Sequence, residues 1–125
     1  MPLKDLFKLA GGTPENVRPW GRYDILDEGA GYKVKRITVS AGKRLSYQSH
    51  KRRQEFWTFV AGRARLTLDG VVSELAAGQR CHIPVGAKHR VENLGTGTMI
   101  FIEVQVGDYL GEDDIERFDD DYGRA

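Results

Sequence analysis

The chain has 125 residues, with 19 Lys and Arg against 18 Asp and Glu, so its formal net charge is +1. This length predicts one domain, and the near balance of charge argues against nucleic acid or an anionic membrane as a general partner. The single cysteine, Cys81, excludes an intramolecular disulfide. No apolar run approaches the roughly 20 residues of a membrane span, and the start lacks the apolar core of a signal peptide, so we expect a cytoplasmic protein.

The chain begins with a short lead, residues 1–17, in which one or two helical turns are predicted before Gly11 and Gly12. From Arg18 onward, short runs of β-forming residues alternate with turns rich in Gly, Pro and Asp. The predicted strands are Tyr23–Leu26, Tyr32–Val39, Arg44–His50, Glu55–Val60, Arg63–Leu68, Val71–Leu75, Arg80–Ile83, Lys88–Glu92 and Thr98–Val106. Asp69-Gly70 is the strongest hairpin signal among them.

Two further local features are predicted. The alternation of apolar and polar residues changes phase between Val34 and Ile37, which indicates a β-bulge. After Val106, the acidic segment Glu112–Phe118 predicts one short helix that docks on the strands through Ile115 and Phe118. Many short strands without helical periodicity indicate an all-β sandwich or barrel, so residues 18–125 are expected to form one domain.

Four candidate metal ligands stand on the predicted strands. Side chains at positions i and i+2 point to the same face of a strand, so the inward faces can bring four N and O donors together. These donors are Gln48, His50, Glu55 and His89. Two imidazoles, a carboxylate and an amide oxygen suit a divalent metal; zinc is expected first, with Mn, Co, Ni or Fe also compatible. By contrast, His82 alternates with Cys81 and Ile83 and is expected to face outward.

The glycine and proline punctuation around these donors resembles the two cupin motifs. The first motif is carried by Gly42, Gln48, His50, Glu55 and Gly62, and the second by Gly78, Pro84, Gly86, His89 and Asn93. The first cupin motif normally reads His-x-His, and Gln48 stands at its first histidine position. The resemblance implies a small jelly-roll β-barrel with the metal between the two motifs.

A narrower resemblance covers about Arg18 to Arg124. The segments that carry it are Arg18–Gly29, Tyr32–Val39, Gly42–His50, Ile83–Asn93 and the closing IEVQVGDYLGEDDIERFDDDYGR. They are similar to the type II mannose-6-phosphate isomerase family, which also forms the C-terminal part of bifunctional guanylyltransferase/isomerase proteins. The resemblance implies a metal-dependent enzyme that interconverts mannose 6-phosphate and fructose 6-phosphate. The glycine-rich nucleotide-binding start of a guanylyltransferase is absent, so that activity is not expected.

The resemblance and the strand faces suggest roles for five further residues. Arg53 matches the arginine of the family's Arg-x-Glu-His-Trp pattern, which implies a catalytic or substrate-orienting role. Glu103 is a candidate general base, with a surface or supporting carboxylate as the alternative. Arg44 is in phase with the ligands and binds either the sugar phosphate or only solvent. Trp57 and Phe59 are expected to wall the pocket.

Several alternatives stay open at this level. Phe56 replaces the histidine of the family pattern, which favours a non-catalytic cupin that binds a sugar phosphate or sugar nucleotide. Two histidines and a carboxylate also suit an iron dioxygenase, although the isomerase-like tail argues against it. The acidic tail, Glu112–Asp121, either caps the barrel in solvent or pairs with the basic run Lys51–Arg53 and orders the pocket rim. A homodimer is expected, with Trp20–Leu26 as an exchanged edge strand.

Overall fold

The computed structural model describes residues 16–125, so the predicted lead falls almost entirely outside the described residues. Eleven β-strands are the regular elements of the described range. They are β1 (Val17–Arg18), β2 (Gly21–Gly29), β3 (Tyr32–Val39), β4 (Tyr47–Ser49), β5 (Arg53–Ala61), β6 (Arg63–Leu68), β7 (Val71–Ala76), β8 (Arg80–Ile83), β9 (His89–Asn93), β10 (Met99–Gly107) and β11 (Glu116–Asp119). Residues 16–125 contain no helix long and apolar enough to span a lipid bilayer.

The strands form two antiparallel sheets that enclose one core. The larger sheet has the order β1-β2-β3-β10-β5-β8, and the smaller has the order β11-β4-β9-β6-β7. Non-sequential neighbours such as β3 and β10, or β4 and β9, are typical of a jelly roll. The predicted all-β barrel is therefore confirmed.

The barrel interior is divided along the strands into an apolar half and a charged half. In β5 the buried positions run from Arg53 and Glu55 to Trp57 and Phe59, as strict alternation predicts. The neighbouring β10 has the same arrangement, because buried Phe101 pairs with Phe59 while buried Glu103 pairs with Trp57. The two matching strands therefore place the charged side chains at one end of the barrel.

Aromatic side chains pack the apolar half. The ring of Phe101 lies 4.5 Å from Trp57 and 5.1 Å from Phe59, measured between centroids. The rest of the buried apolar cluster includes Ile37, Val39, Ala64, Leu66, Val91 and Met99. This cluster lies directly beneath the charged half and provides its rigid floor.

The hairpin predicted at Asp69-Gly70 is present. Leu68 pairs with Val71, which leaves a two-residue loop between β6 and β7. Both loop residues have positive φ, 47° at Asp69 and 81° at Gly70, as the favoured type I′ turn requires. Local sequence alone therefore determines this part of the smaller sheet.

The bulge predicted in β3 is wrong. β3 pairs with β10 in unbroken register from Tyr32 to Val39, and the irregularity lies instead in β2, between Ile25 and Asp27. The apparent change of phase arises because Lys35 occupies an inward position and is only 3% exposed. The strand itself is regular.

The predicted acidic helix is also wrong, because its second half forms β11. Arg117 pairs with Gln48 of β4, so the segment satisfies the backbone groups of a sheet edge. A single helix of this length is marginal in water, and two apolar side chains at i and i+3 bury little surface. The predicted strand Arg44–His50 is correspondingly shorter, with β4 at Tyr47–Ser49 and one isolated bridge from Arg44 to Glu92.

We expect Gly107→Ala to destabilise the barrel by about 1–3 kcal/mol, as overpacking does. A Cβ at Gly107 would overlap the backbone oxygen of Arg52 and lie 2.9 Å from the Cα of Arg53. Urea unfolding measures the change. Gly97→Ala is the matched control, because its Cβ would meet no atom within 4 Å. Equal stability of the two variants would contradict the close approach of β10 to the start of β5.

Candidate metal centre and cavity

Three of the four predicted ligands form one buried cluster. His50, Glu55 and His89 each offer a ligand atom, and these atoms all lie within 4.8 Å of one another. Glu55 belongs to the larger sheet, whereas His50 directly follows β4 and His89 begins β9 in the smaller one. The cluster therefore joins the two sheets at the charged end of the barrel. The two predicted motifs meet there as expected.

His89 is oriented as a metal ligand would be. Its Nδ1 lies 3.0 Å from the carbonyl oxygen of Ala87, which only accepts a hydrogen bond, so Nδ1 carries the proton. Burial lowers the pKa of His89, which keeps the imidazole neutral. Its Nε2 is buried without a hydrogen-bond partner within residues 16–125. An oriented ring with an unpartnered lone pair is the arrangement found in metal-binding histidines.

The carboxylate of Glu55 is held on both oxygens. Arg53 donates from Nε to Oε2 over 2.8 Å, and Trp57 donates from Nε1 to Oε1 over 3.0 Å. Arg53 also places Nη2 3.0 Å from Nε2 of His50. Burial and the positive charge of Arg53 lower the pKa of His50 to about 3, so this imidazole is neutral as well. Two neutral imidazoles and a fixed carboxylate fit a divalent transition metal.

Gln48, the fourth predicted ligand, lies beside this cluster. It is directly opposite His89 in the β4–β9 pair, so the two side chains share a face. Its Oε1 is 3.3 Å from Oγ of Ser46, and its side chain lines the cavity next to His50. An amide oxygen is therefore available near the three buried donors.

A cavity opens next to the cluster and is rich in positive charge. Its lining includes His50, Gln48 and the basic residues Arg18, Lys35, Arg53, Arg117 and Arg124. Two carboxylates, Glu103 and Glu112, also line it, as do Trp20, Tyr23, Ile37, Leu45, Ser46 and Ile115. Five cations against two carboxylates favour an anionic ligand.

Glu103 is the buried acid of this cavity. It is 6% exposed, and Gln105 donates to its Oε1 over 2.6 Å. Burial, followed by the negative charge of Glu55, raises the pKa of Glu103 to about 8, while Lys35 opposes this rise. A carboxyl group that exchanges its proton near neutral pH is suited to acid–base chemistry. Glu103 is therefore not an exposed surface carboxylate, which was one of the alternatives to the general base.

The acidic tail forms part of the cavity rim. The carboxylate of Asp114 accepts hydrogen bonds from the backbone amides of Lys51 and Arg52, over 3.1 and 3.0 Å. Glu112 pairs with the buried ammonium group of Lys35. The tail therefore orders the rim, as one of its two interpretations expected. Its contact with Lys51 and Arg52 is through their backbone amides.

Three of the predicted substrate residues lie elsewhere. Arg44 pairs with Asp121, with nitrogen–oxygen distances of 2.7 and 2.8 Å, and is not among the residues that line the cavity. Trp57 packs beneath the cluster, 5.7 Å from the ring of His89, and Phe59 lies deeper in the core. Neither aromatic ring lines the cavity.

The outward position predicted for His82 is confirmed, and Phe56 lies beside it. His82 is exposed, and the ring of Phe56 stacks on it with centroids 4.7 Å apart and planes at 13°. Phe56 therefore lies on the outer surface of the larger sheet, away from His50 and Glu55. The residue that departs from the family pattern does not enter the cavity.

Sequence reasoning missed several cavity residues. Lys35 shares parity with Ile37 and Val39, so the alternation of β3 contained a usable signal for its inward position. Arg117 and Arg124 enter the cavity only because β11 pairs with β4, and no local pattern indicates that register. Arg18 of β1 also lines the cavity, although it is distant in sequence from Arg117 and Arg124.

Comparison with known proteins places this arrangement among related chains. Residues 11–120 match the family model described as mannose-6-phosphate isomerase C-terminal. A mannose-1-phosphate guanylyltransferase of Salmonella montevideo is 52% identical over 110 residues, which are 88% of this chain and 23% of the relative. The alginate biosynthesis protein AlgA of Pseudomonas aeruginosa is 49% identical over a gapped alignment of 127 positions, which covers 98% of this chain and 26% of the relative. The chain therefore spans about a quarter of the length of these relatives.

A solved structure supports the fold assignment independently. A Cupin 2 conserved barrel domain protein from Salinispora arenicola superposes with a TM-score of 0.61 and 25% identity. The match covers 68% of this chain and 74% of that chain. The barrel is thus a cupin barrel, as the motif spacing predicted.

We expect His89→Ala to weaken binding of Zn²⁺ or Co²⁺ by at least about 100-fold, because it removes a ligand that is buried and correctly oriented. Equilibrium dialysis followed by metal analysis measures the affinity, and the absorption spectrum of bound Co²⁺ reports the donor set. His82→Ala is the control, since that histidine is exposed and lies outside the cluster. Equal metal affinity in the two variants would exclude His89 as a ligand.

Proposed function

This chain belongs to the mannose-6-phosphate isomerase C-terminal family, and on that basis we propose that it interconverts mannose 6-phosphate and fructose 6-phosphate with a divalent metal. One observation carries the proposal. The cluster of His50, Glu55 and His89 adjoins a cation-rich cavity that His50 and the buried acid Glu103 both line. A metal site, an acid–base group and an anion-attracting surface are the three parts that the reaction needs.

The reaction moves one proton between C1 and C2 of the open-chain sugar. The C2 proton of the aldose is weakly acidic until the adjacent carbonyl group is polarised. When a divalent metal is bound by His50, Glu55 and His89, it supplies Lewis-acid polarisation of an oxygen ligand. The protein must then provide a base that removes the carbon-bound proton and returns it to the neighbouring carbon.

We assign this proton transfer to Glu103, the buried acid that lines the cavity. As a carboxylate it accepts the proton from C2, the electron pair of that C–H bond forms the C1=C2 double bond, and the π pair of the C1 carbonyl moves onto the C1 oxygen. The C2 hydroxyl then passes its proton to the C1 oxygen, Glu103 as a carboxylic acid donates its proton to C1, and an electron pair on the C2 oxygen forms the ketone. Atoms balance over the two halves, and Glu103 ends in its starting form. Its hydrogen bond from Gln105 holds the group in position.

Arg53 supports the same chemistry by position and charge. It holds His50 and Glu55 through separate nitrogens and also lines the cavity. Its Nη1 is buried, with no hydrogen-bond partner in the part of the chain that the structure describes. A fixed cation next to a reacting oxygen stabilises the negative charge that develops there.

The position of Phe56 supports catalysis over the non-catalytic alternative. Phe56 is 43% exposed and stacks on His82, so its substitution for the family histidine leaves the interior donors unchanged. The relatives of this chain include a mannose-1-phosphate guanylyltransferase and an alginate biosynthesis protein. We propose that this chain likewise acts on mannose phosphates that feed polysaccharide synthesis.

The direct test is turnover by the purified chain. We expect formation of fructose 6-phosphate from mannose 6-phosphate in a coupled assay after loading with Zn²⁺, Mn²⁺, Co²⁺, Ni²⁺ or Fe²⁺. Chelation is expected to abolish turnover, and readdition of metal to restore it. His89→Ala is expected to be inactive while His82→Ala stays active. A folded, metal-loaded chain that turns over neither sugar phosphate would overturn the proposal.

A separate prediction concerns the acid–base group. We expect Glu103→Gln to lower kcat by about 10²- to 10⁴-fold, the usual contribution of general acid–base catalysis, with metal content unchanged. Glu74→Gln is the matched control, because Glu74 forms an exposed ion pair with Arg63 far from the cluster. Steady-state kinetics and metal analysis of both variants provide the comparison. Full kcat in Glu103→Gln would assign the proton transfer to another group.

A further inference from the structure

Most cations of the cavity already have a carboxylate partner. Arg53 pairs with Glu55, Lys35 pairs with Glu112, and Arg124 pairs with Asp120 through two contacts of 2.9 Å. Arg117 differs from these three. Its Nε is buried without a hydrogen-bond partner, and its guanidinium forms no ion pair with any carboxylate of residues 16–125.

Arg117 also lies in a favourable environment for an anion. Burial, followed by the positive charge of Arg124 and more weakly that of Arg18, lowers the pKa of Arg117, while Asp120 opposes the effect. Arg18, Arg117 and Arg124 all line the same cavity. Like charges gathered around partly buried nitrogens repel one another, and a bound anion would remove this repulsion.

The strand register places Arg117 at a defined separation from the metal cluster. Arg117 is opposite Gln48, and Gln48 is opposite His89, so the three residues stand in a row on one face of the smaller sheet. Two strand spacings separate the backbones of Arg117 and His89 by about 10 Å. An open-chain hexose 6-phosphate has comparable length, because its phosphate is attached four carbons beyond C2.

We propose that Arg117, together with Arg18 and Arg124, forms a subsite for the phosphoryl group of a sugar phosphate. The assignment rests on the proposed function for the identity of the sugar, and it replaces the sequence-based choice of Arg44, which is engaged by Asp121 outside the cavity. A guanidinium group binds phosphoryl oxygens through a planar pair of N–H donors. Reaction at C1 and C2 would thus take place near His89, while the phosphate is bound at β11.

Binding of mannose 6-phosphate, measured by titration calorimetry on the full chain, tests the subsite without requiring turnover. We expect Arg117→Gln to raise the Kd about 10- to 100-fold, the loss typical of one hydrogen-bonded charge contact, and to leave the affinity for neutral mannose unchanged. Arg63→Gln is the charge-matched control, since Arg63 lies on the surface in an ion pair with Glu74. Arg44→Gln tests the replaced assignment and is expected to bind as the wild type does.

A second measurement tests the subsite in the wild-type protein, with the Arg117 side chain present. In ¹⁵N-labelled wild type, the Nε–H resonance of Arg117, assigned from its absence in Arg117→Lys, is expected to shift as mannose 6-phosphate is added. An unshifted resonance at saturating ligand, or equal Kd values for wild type and Arg117→Gln, would overturn the subsite even if the chain isomerises the sugar. Binding that depends on Arg117 but without turnover would support the subsite and contradict the proposed function.

Discussion

The pairing of buried charges is the constraint on which this barrel depends. One end of its interior contains Arg53, Glu55, Glu103 and Lys35, each at most 6% exposed. Removing one partner of a buried ion pair costs about 3–5 kcal/mol, because the other charge stays buried without compensation. Arg53 and Glu55 form such a buried pair, and the buried ammonium group of Lys35 is paired with Glu112 of the tail, whose own side chain is 54% exposed. The contacts that compensate these buried charges also place a carboxylate and a cation beside two neutral imidazoles.

The apolar half of the barrel makes the charged half rigid. Phe101 and Trp57 pack closely, and Trp57 in turn donates to one oxygen of Glu55. The carboxylate is thus anchored to the aromatic core on one oxygen and to Arg53 on the other. Fixed donors lose little freedom when a ligand binds, which is the advantage of building a site on strands.

The C-terminal segment connects fold and site through backbone hydrogen bonds. β11 pairs with β4, and Asp114 accepts from the amides of Lys51 and Arg52 between β4 and β5. An edge strand that would otherwise expose unpaired N–H and C=O groups is covered in this way. The same segment brings Glu112 and Arg117 to the cavity. It therefore both pairs with the sheet edge and completes the lining of the cavity.

The sequence by itself determined the barrel and three of its buried donors. Short glycine-punctuated strands predict an all-β fold, parity puts Glu55 and Phe56 on opposite faces of one strand, and the motif spacing indicates that His50, Glu55 and His89 face inward. The tertiary structure decided the rest, because it depends on pairing between distant segments. Lys35 becomes a cavity residue through its partner Glu112, 77 positions later, and Arg117 through a register with β4 that overrides a weak local helical pattern. Local side-chain patterns are encoded within a few residues, whereas the partner of a sheet edge or of a buried charge is chosen by the whole fold.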